Sequence, residues 1–66
     1  MYYIRKGNKV FRRYDIITGP MWSEITYKTT RIGVCVFTTR KDAQNFVQEN
    51  FIGMDVEVSN NLDYYV

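Results

Sequence analysis

The chain has 66 residues, 45% of them hydrophobic and 17% aromatic, with one cysteine, no histidine and a formal charge of +2. A chain this short holds one small domain, residues 1–66, and buries only about 60% of the surface its unfolded form exposes. One cysteine excludes an intramolecular disulfide. The lack of histidine removes both the usual structural zinc ligand and the imidazole base of a catalytic triad.

The hydrophobic content is enough for a packed core. The longest apolar runs fall far short of the ~20 residues that span a bilayer. Arg5, Lys6 and Asn8 follow Met1–Ile4 at once, so no signal peptide is expected. The expected location is the cytoplasm, with Cys35 reduced.

In chain order, "YYIRKGNKVFRRYDII" reads as a β-hairpin turning at Gly7-Asn8. Val10, Arg12, Tyr14 and Ile16 share one face of the second arm, and Phe11, Arg13, Asp15 and Ile17 the other. The mixed faces near the turn predict a tip directed to solvent, with Ile16-Ile17 entering the core. Thr18-Gly19-Pro20 reads as a break, because proline cannot donate to a ladder, and it leaves Met21-Trp22 on or near a loop. Glu24 to Thr30 alternates as a strand. "RIGVCVFTT" is apolar on both faces and predicts a central strand, with Gly33 marking a bulge.

"TTRKDAQNFVQENF" predicts a helix. Thr39 is the N-cap, Asp42 stands three residues on, and Ala43, Phe46, Val47 and Phe51 form one apolar stripe. Gly53 is placed to end it. Met54, Val56 and Val58 alternate with Asp55 and Glu57 as a half-buried strand. Asn60-Asn61 reads as a turn on the tolerance of asparagine for left-handed backbone, and Leu62–Val66 as a last strand. The expected fold is α+β: a small antiparallel sheet of four to five strands with one helix on one face, ordered β-hairpin, β, β, α, β-hairpin. The alternative is a tight small barrel with one helix, of oligonucleotide-binding or SH3 type.

Charge is divided along the sequence. All nine Lys and Arg lie at or before Lys41, against Asp15 and Glu24, a net +7; residues 42–66 carry five acids and no cation, a net −5. Such asymmetry points to an acidic partner or a nucleic acid. The plainer alternative is that the two halves pair across the domain, at tenths of a kcal/mol per exposed pair.

Three kinds of chemistry are compatible with this pattern to different degrees. Catalysis has little to stand on: Cys35 between valines reads as a buried thiol, and Asp55 and Glu57, about 7 Å apart on a strand, as a solvated face. No cofactor and no metal are expected. Single-stranded nucleic acid is a second candidate, because Tyr2, Tyr3, Phe11 and Tyr14 interleave with Arg5, Lys6, Lys9, Arg12 and Arg13. A protein partner comes first. Trp22 is the only tryptophan, aromatics and arginine dominate binding hot spots, and Tyr3, Phe11, Tyr27, Phe37, Tyr64 and Tyr65 exceed what one small core takes in.

The expected contact residues are Trp22, Arg12, Arg13, Tyr14, Lys9 and Phe11. The expected function is non-catalytic binding to a protein with an acidic surface. Phe, Tyr, Met, Ile, Asn and Lys, the residues with AT-rich codons, are plentiful beside one alanine and one proline; this adds the expectation of a phage or mobile-element origin, and with it a modulator or inhibitor of a host protein in the host cytoplasm. A homodimer or other homo-oligomeric structural component, joining the basic half of one copy to the acidic half of another, is the third reading.

Overall fold

The computed structural model describes residues 1–26 and 33–66. Four strands and one helix follow in the order β1 (Tyr3–Lys6), β2 (Lys9–Asp15), β3 (Gly19–Glu24), α1 (Arg40–Asn50) and β4 (Glu57–Ser59). The sheet is antiparallel with strand order β3-β2-β1-β4. This is the α+β arrangement expected, a small sheet with one helix packed on it. No helix among the described residues is long and apolar enough to cross a membrane.

The first turn forms where the sequence places it. Lys6 pairs with Lys9 across Gly7-Asn8, and Gly7 adopts φ +60° while Asn8 does not have positive φ. This is the type II′ pattern, with glycine first, that matches the twist of a hairpin. The Asn8 side chain is used instead as a clamp. Its Oδ1 accepts from the Tyr65 backbone N–H at 2.7 Å, and its Nδ2 donates to the Tyr65 carbonyl at 2.8 Å. The expected free tip is therefore tied down by the C-terminal segment.

The other end of β2 is the one that projects. Ile16 and Ile17 are 97% and 91% exposed, so they do not enter the core as expected. They lie in a three-residue loop that joins β2 to β3, where Asp15 faces Gly19 and Gly19 takes φ +87°. The Asp15 carboxylate accepts from the N–H groups of Ile17 at 2.8 Å and Thr18 at 3.1 Å, an aspartate turn that fixes the loop. Gly19–Glu24 is a strand rather than a break. Pro20 is tolerated because it stands at the start of an edge strand, and Met21 and Trp22 lie inside β3.

The sheet is covered on both faces. On one, α1 closes over Ile4, Phe11 and Phe51, joined by Trp22, Phe37, Phe46, Val47 and Val56. All four phenylalanines and the tryptophan meet here, with Phe11 at 5.1 Å from Phe51, 5.5 Å from Phe46 and 5.6 Å from Trp22 between ring centres, and Phe37 at 5.3 Å from Phe46. Such pairs each add about 0.5–1.5 kcal/mol beyond area burial. On the opposite face Tyr3, Val10, Ile25 and Leu62 form a second core. Two cores, not one, take in Tyr3, Phe11 and Phe37, so the surplus of aromatics expected from a single core is smaller than the sequence implied.

The helix forms as the spacing predicts. Thr39 is extended at φ −123°, ψ 154°, and its Oγ1 accepts from the Asp42 N–H at 3.1 Å. Ala43 is buried, Phe46 and Val47 are half-buried, and Phe51 closes the stripe. The Phe51 N–H donates to the Val47 carbonyl at 2.8 Å, and Gly53 at φ +79° turns the chain away.

Three expected strands differ. Residues 33–36 have no ladder, and Phe37 makes only an isolated antiparallel bridge to Tyr2. The Cys35 N–H donates to the Phe11 carbonyl at 3.1 Å, and Phe37 exchanges bonds of 2.9 and 2.8 Å with Tyr2. This short segment fills the gap where β1 and β2 part, which is why it is apolar on both sides without being a regular strand. The bulge lies in β2 instead: Phe11 faces Trp22 and Arg13 faces Met21, leaving Arg12 as the extra residue. The expected strand over Glu24–Thr30 ends at Glu24 as β3; residues 27–32, Tyr27 included, lie outside the described residues.

Leu62–Val66 is not a strand. The Asn60-Asn61 turn forms without left-handed asparagine. Ser59 Oγ accepts from the Asn61 N–H, and Asn61 Oδ1 from the Asp63 N–H. The tail then crosses the second face as irregular chain and buries Leu62 there.

Candidate functional site

β2 and β3 carry all six expected contact residues, and the sheet sorts them. Along β2, Arg12, Arg13 and Tyr14 are exposed in one run, and Lys9 is exposed at the start of the strand. Phe11 is not: at 1% exposure beneath the helix it is core, not the surface contact expected. The alternation of a strand, shifted by the bulge at Arg12, turns Phe11 inward while its basic neighbours stay in water.

Trp22 is half-buried. Its ring packs against Phe11 and, at 5.7 Å, Phe51, with the Lys6 ammonium 4.6 Å from its centre. It is a rim residue of this surface, supported by the core. Lys9 Nζ stands 3.9 Å from Glu24 Oε1, both exposed, a pair worth about 0–1 kcal/mol.

Arg12 and Arg13 have no carboxylate within ion-pair distance among the described residues. The Arg12 Nε donates to the Gly33 carbonyl at 3.4 Å, and the Arg13 Nε approaches the Met21 sulfur at 3.4 Å. Tyr14 is 53% exposed beside them. Beyond Tyr14 the hairpin ends in Ile16-Ile17, which sequence reasoning assigned to the core. The missed signal was Asp15 and Gly19 bracketing three residues, a loop pattern rather than a continuing strand. Asp15 is held below the usual carboxylate range, chiefly by the N–H groups of Ile17 and Thr18 and further by Arg13.

A second feature lies at the other edge of the sheet. A cleft of about 250 Å³ is lined by Arg5, Gly7, Asp55, Val56, Glu57 and Tyr65. Arg5 is fully buried beside it. Its Nη1 donates to the Asn61 carbonyl at 2.7 Å, and Nε and Nη2 approach the Gly7 carbonyl and Asn8 Oδ1 at 3.3 and 3.4 Å. A buried cation must be satisfied, and here neutral acceptors and the Tyr65 ring do so. Nothing local distinguishes Arg5 from the other four cations of the first hairpin, Lys6, Lys9, Arg12 and Arg13.

Two further expectations concern reactive groups. Cys35 is half-buried, and burial pushes its thiol pKa up, the opposite of what a nucleophile needs. Among the described residues no three Cys, Asp or Glu side chains gather in an arrangement fit for a metal ion. No family model matches the chain, and neither a curated protein nor a solved structure matches it.

Proposed function

We propose that the chain is a non-catalytic, cytoplasmic binding protein that occupies an acidic surface of a protein partner through the β2–β3 hairpin. The observation that carries this reading is the exposed run Arg12-Arg13-Tyr14, whose two guanidiniums have no carboxylate within ion-pair distance among the described residues. Exposed arginines beside an exposed tyrosine are the composition of a binding hot spot. In a phage or mobile element, such a protein would act as a modulator or inhibitor of a host factor.

Single-stranded nucleic acid is supported less. Base stacking needs exposed rings, and of the four aromatics on the first two strands and their approach, Tyr3 and Phe11 are buried and Tyr2 is half-buried with Arg40 5.0 Å from its ring. Affinity capture from a host lysate, with and without nuclease, separates the two partner classes. The Arg12→Ala/Arg13→Ala variant is expected to lose the nuclease-resistant partner, while Lys41→Ala retains it. Full retention by the double variant removes this surface as the binding site.

A further inference from the structure

All the exposed large apolar side chains among the described residues, except Met1 and Val36, fall into two groups. Tyr14, Ile16, Ile17 and Met21 lie on the β2–β3 hairpin with Arg12 and Arg13. Ile52, Met54, Tyr64, Tyr65 and Val66 lie in the C-terminal segments, which carry Asp55, Glu57 and Asp63 and no cation. One group is apolar and basic; the other is apolar and acidic. The strand order β3-β2-β1-β4 sets the hairpin at one edge of the sheet and β4, with Glu57, at the opposite edge. The Ile16-Ile17 loop and the cleft lined by Asp55, Glu57 and Tyr65 therefore lie at opposite edges of one molecule.

We propose that they meet between molecules: the Ile16-Ile17 loop of one copy packs against the cleft side of a second copy, with Arg12 and Arg13 facing Asp55 and Glu57. This rests on the reading of the hairpin as a binding element and names one occupant for it, a second copy of the chain. The loop is prepared for such a contact. Isoleucine is a poor loop residue, and the aspartate turn at Asp15 holds both side chains outward before any partner arrives, which lowers the ordering cost of binding. The cleft is roomy enough, at about 250 Å³, for a side chain to enter. Because the joined surfaces differ, the contact is head-to-tail and leaves a free tip and a free cleft on every dimer. One loop against one cleft engages few residues, so association is expected to be weak, roughly micromolar to millimolar, and to fall with salt.

The test is sedimentation of the purified chain at roughly millimolar concentration and low ionic strength. Wild type is expected to exceed the monomer mass. Ile16→Ser/Ile17→Ser blocks the tip, and Asp55→Lys/Glu57→Lys blocks the cleft side. Each alone is expected to weaken association by at least roughly tenfold. The two variants mixed in equal amounts are expected to restore a one-to-one heterodimer, since one supplies an intact cleft and the other an intact tip. Unfolding midpoints check that both variants fold, and Asp55→Lys alone serves if the Glu57 substitution disturbs β4. A monomeric wild type, a mixture that stays monomeric, or a wild-type tip that binds phosphatidylserine-containing vesicles instead of a second copy overturns the proposal. None of these results touches the capture experiment, which reads Arg12 and Arg13 against a different protein.

Discussion

The Arg5 guanidinium lies 3.7 Å from the centre of the Tyr65 ring. β1 and the C-terminal segment are joined by this stacking and by the bond from Arg5 Nη1 to the Asn61 carbonyl. Arg5→Ala is expected to destabilise the protein by roughly 2–4 kcal/mol, since hydrogen bonds from a charged donor are lost and a buried volume is left empty. Tyr65→Ala removes only the ring over the cation and is expected to cost about 0.5–1 kcal/mol. Urea unfolding of the two variants measures both; equal losses would contradict this division.

Thr39→Ala removes the acceptor for the Asp42 N–H. The expected loss is about 1 kcal/mol, which lowers the midpoint of thermal unfolding by roughly 4–8 °C in a domain of this size. Thr39→Ser should recover most of it. Calorimetry decides, and a Thr39→Ala midpoint equal to wild type would contradict the capping role.

Ile16→Asn and Ile17→Asn are expected to leave stability within about 0.5 kcal/mol, because both side chains already stand in water. A large loss on chemical denaturation would show that the loop contributes to the fold. Unchanged stability with impaired binding would separate its contact role from folding.

Asp15 gives the loop a pH dependence. Its pKa is depressed in the folded state by the Ile17 and Thr18 amides. The stability it contributes is therefore complete above the unfolded aspartate value of about 3.9 and is lost as the pH falls through the lower folded value. Carboxyl titration by NMR should show a midpoint below that of a free aspartate, with the Ile17 and Thr18 amide signals moving along the same curve. A midpoint at or above the free value would contradict the turn.

Cys35 should react slowly. With its thiol pKa raised by burial, alkylation by iodoacetamide at neutral pH is expected to be slower than in the unfolded chain. Faster reaction in the folded protein would point to an electropositive setting that the structure does not show.

The parts of the fold legible in the sequence are those with local causes. Thr39, Asp42 and the stripe Ala43-Phe46-Val47-Phe51 specify a helix on their own, and Gly7-Asn8 specifies a hairpin. The parts that were not legible depend on distant partners. Ile16-Ile17 read as core because hydrophobicity alone does not say whether a strand continues. Residues 33–37 read as a strand because an irregular segment between two strands is apolar for the same reason a strand is. Leu62–Val66 read as a strand because nothing local shows that the Tyr65 backbone is engaged by the Asn8 side chain. At the binding surface, the basic run of β2 was legible. The burial of Phe11 was not, because the bulge at Arg12 changes which residues face the helix.

The clamp between Asn8 and Tyr65 also bears on how the molecule is made. Its bonds and that of Arg5 to Asn61 join positions 57 and 56 residues apart. The first hairpin is synthesised before residues 61–65, and the face that holds Tyr3 and Val10 is completed only when Leu62 packs there. Contacts of such long range slow folding and make it a single late event. Deleting residues 62–66 should therefore yield a chain that aggregates from the ribosome onward, whereas an addition beside the β2–β3 loop should be tolerated.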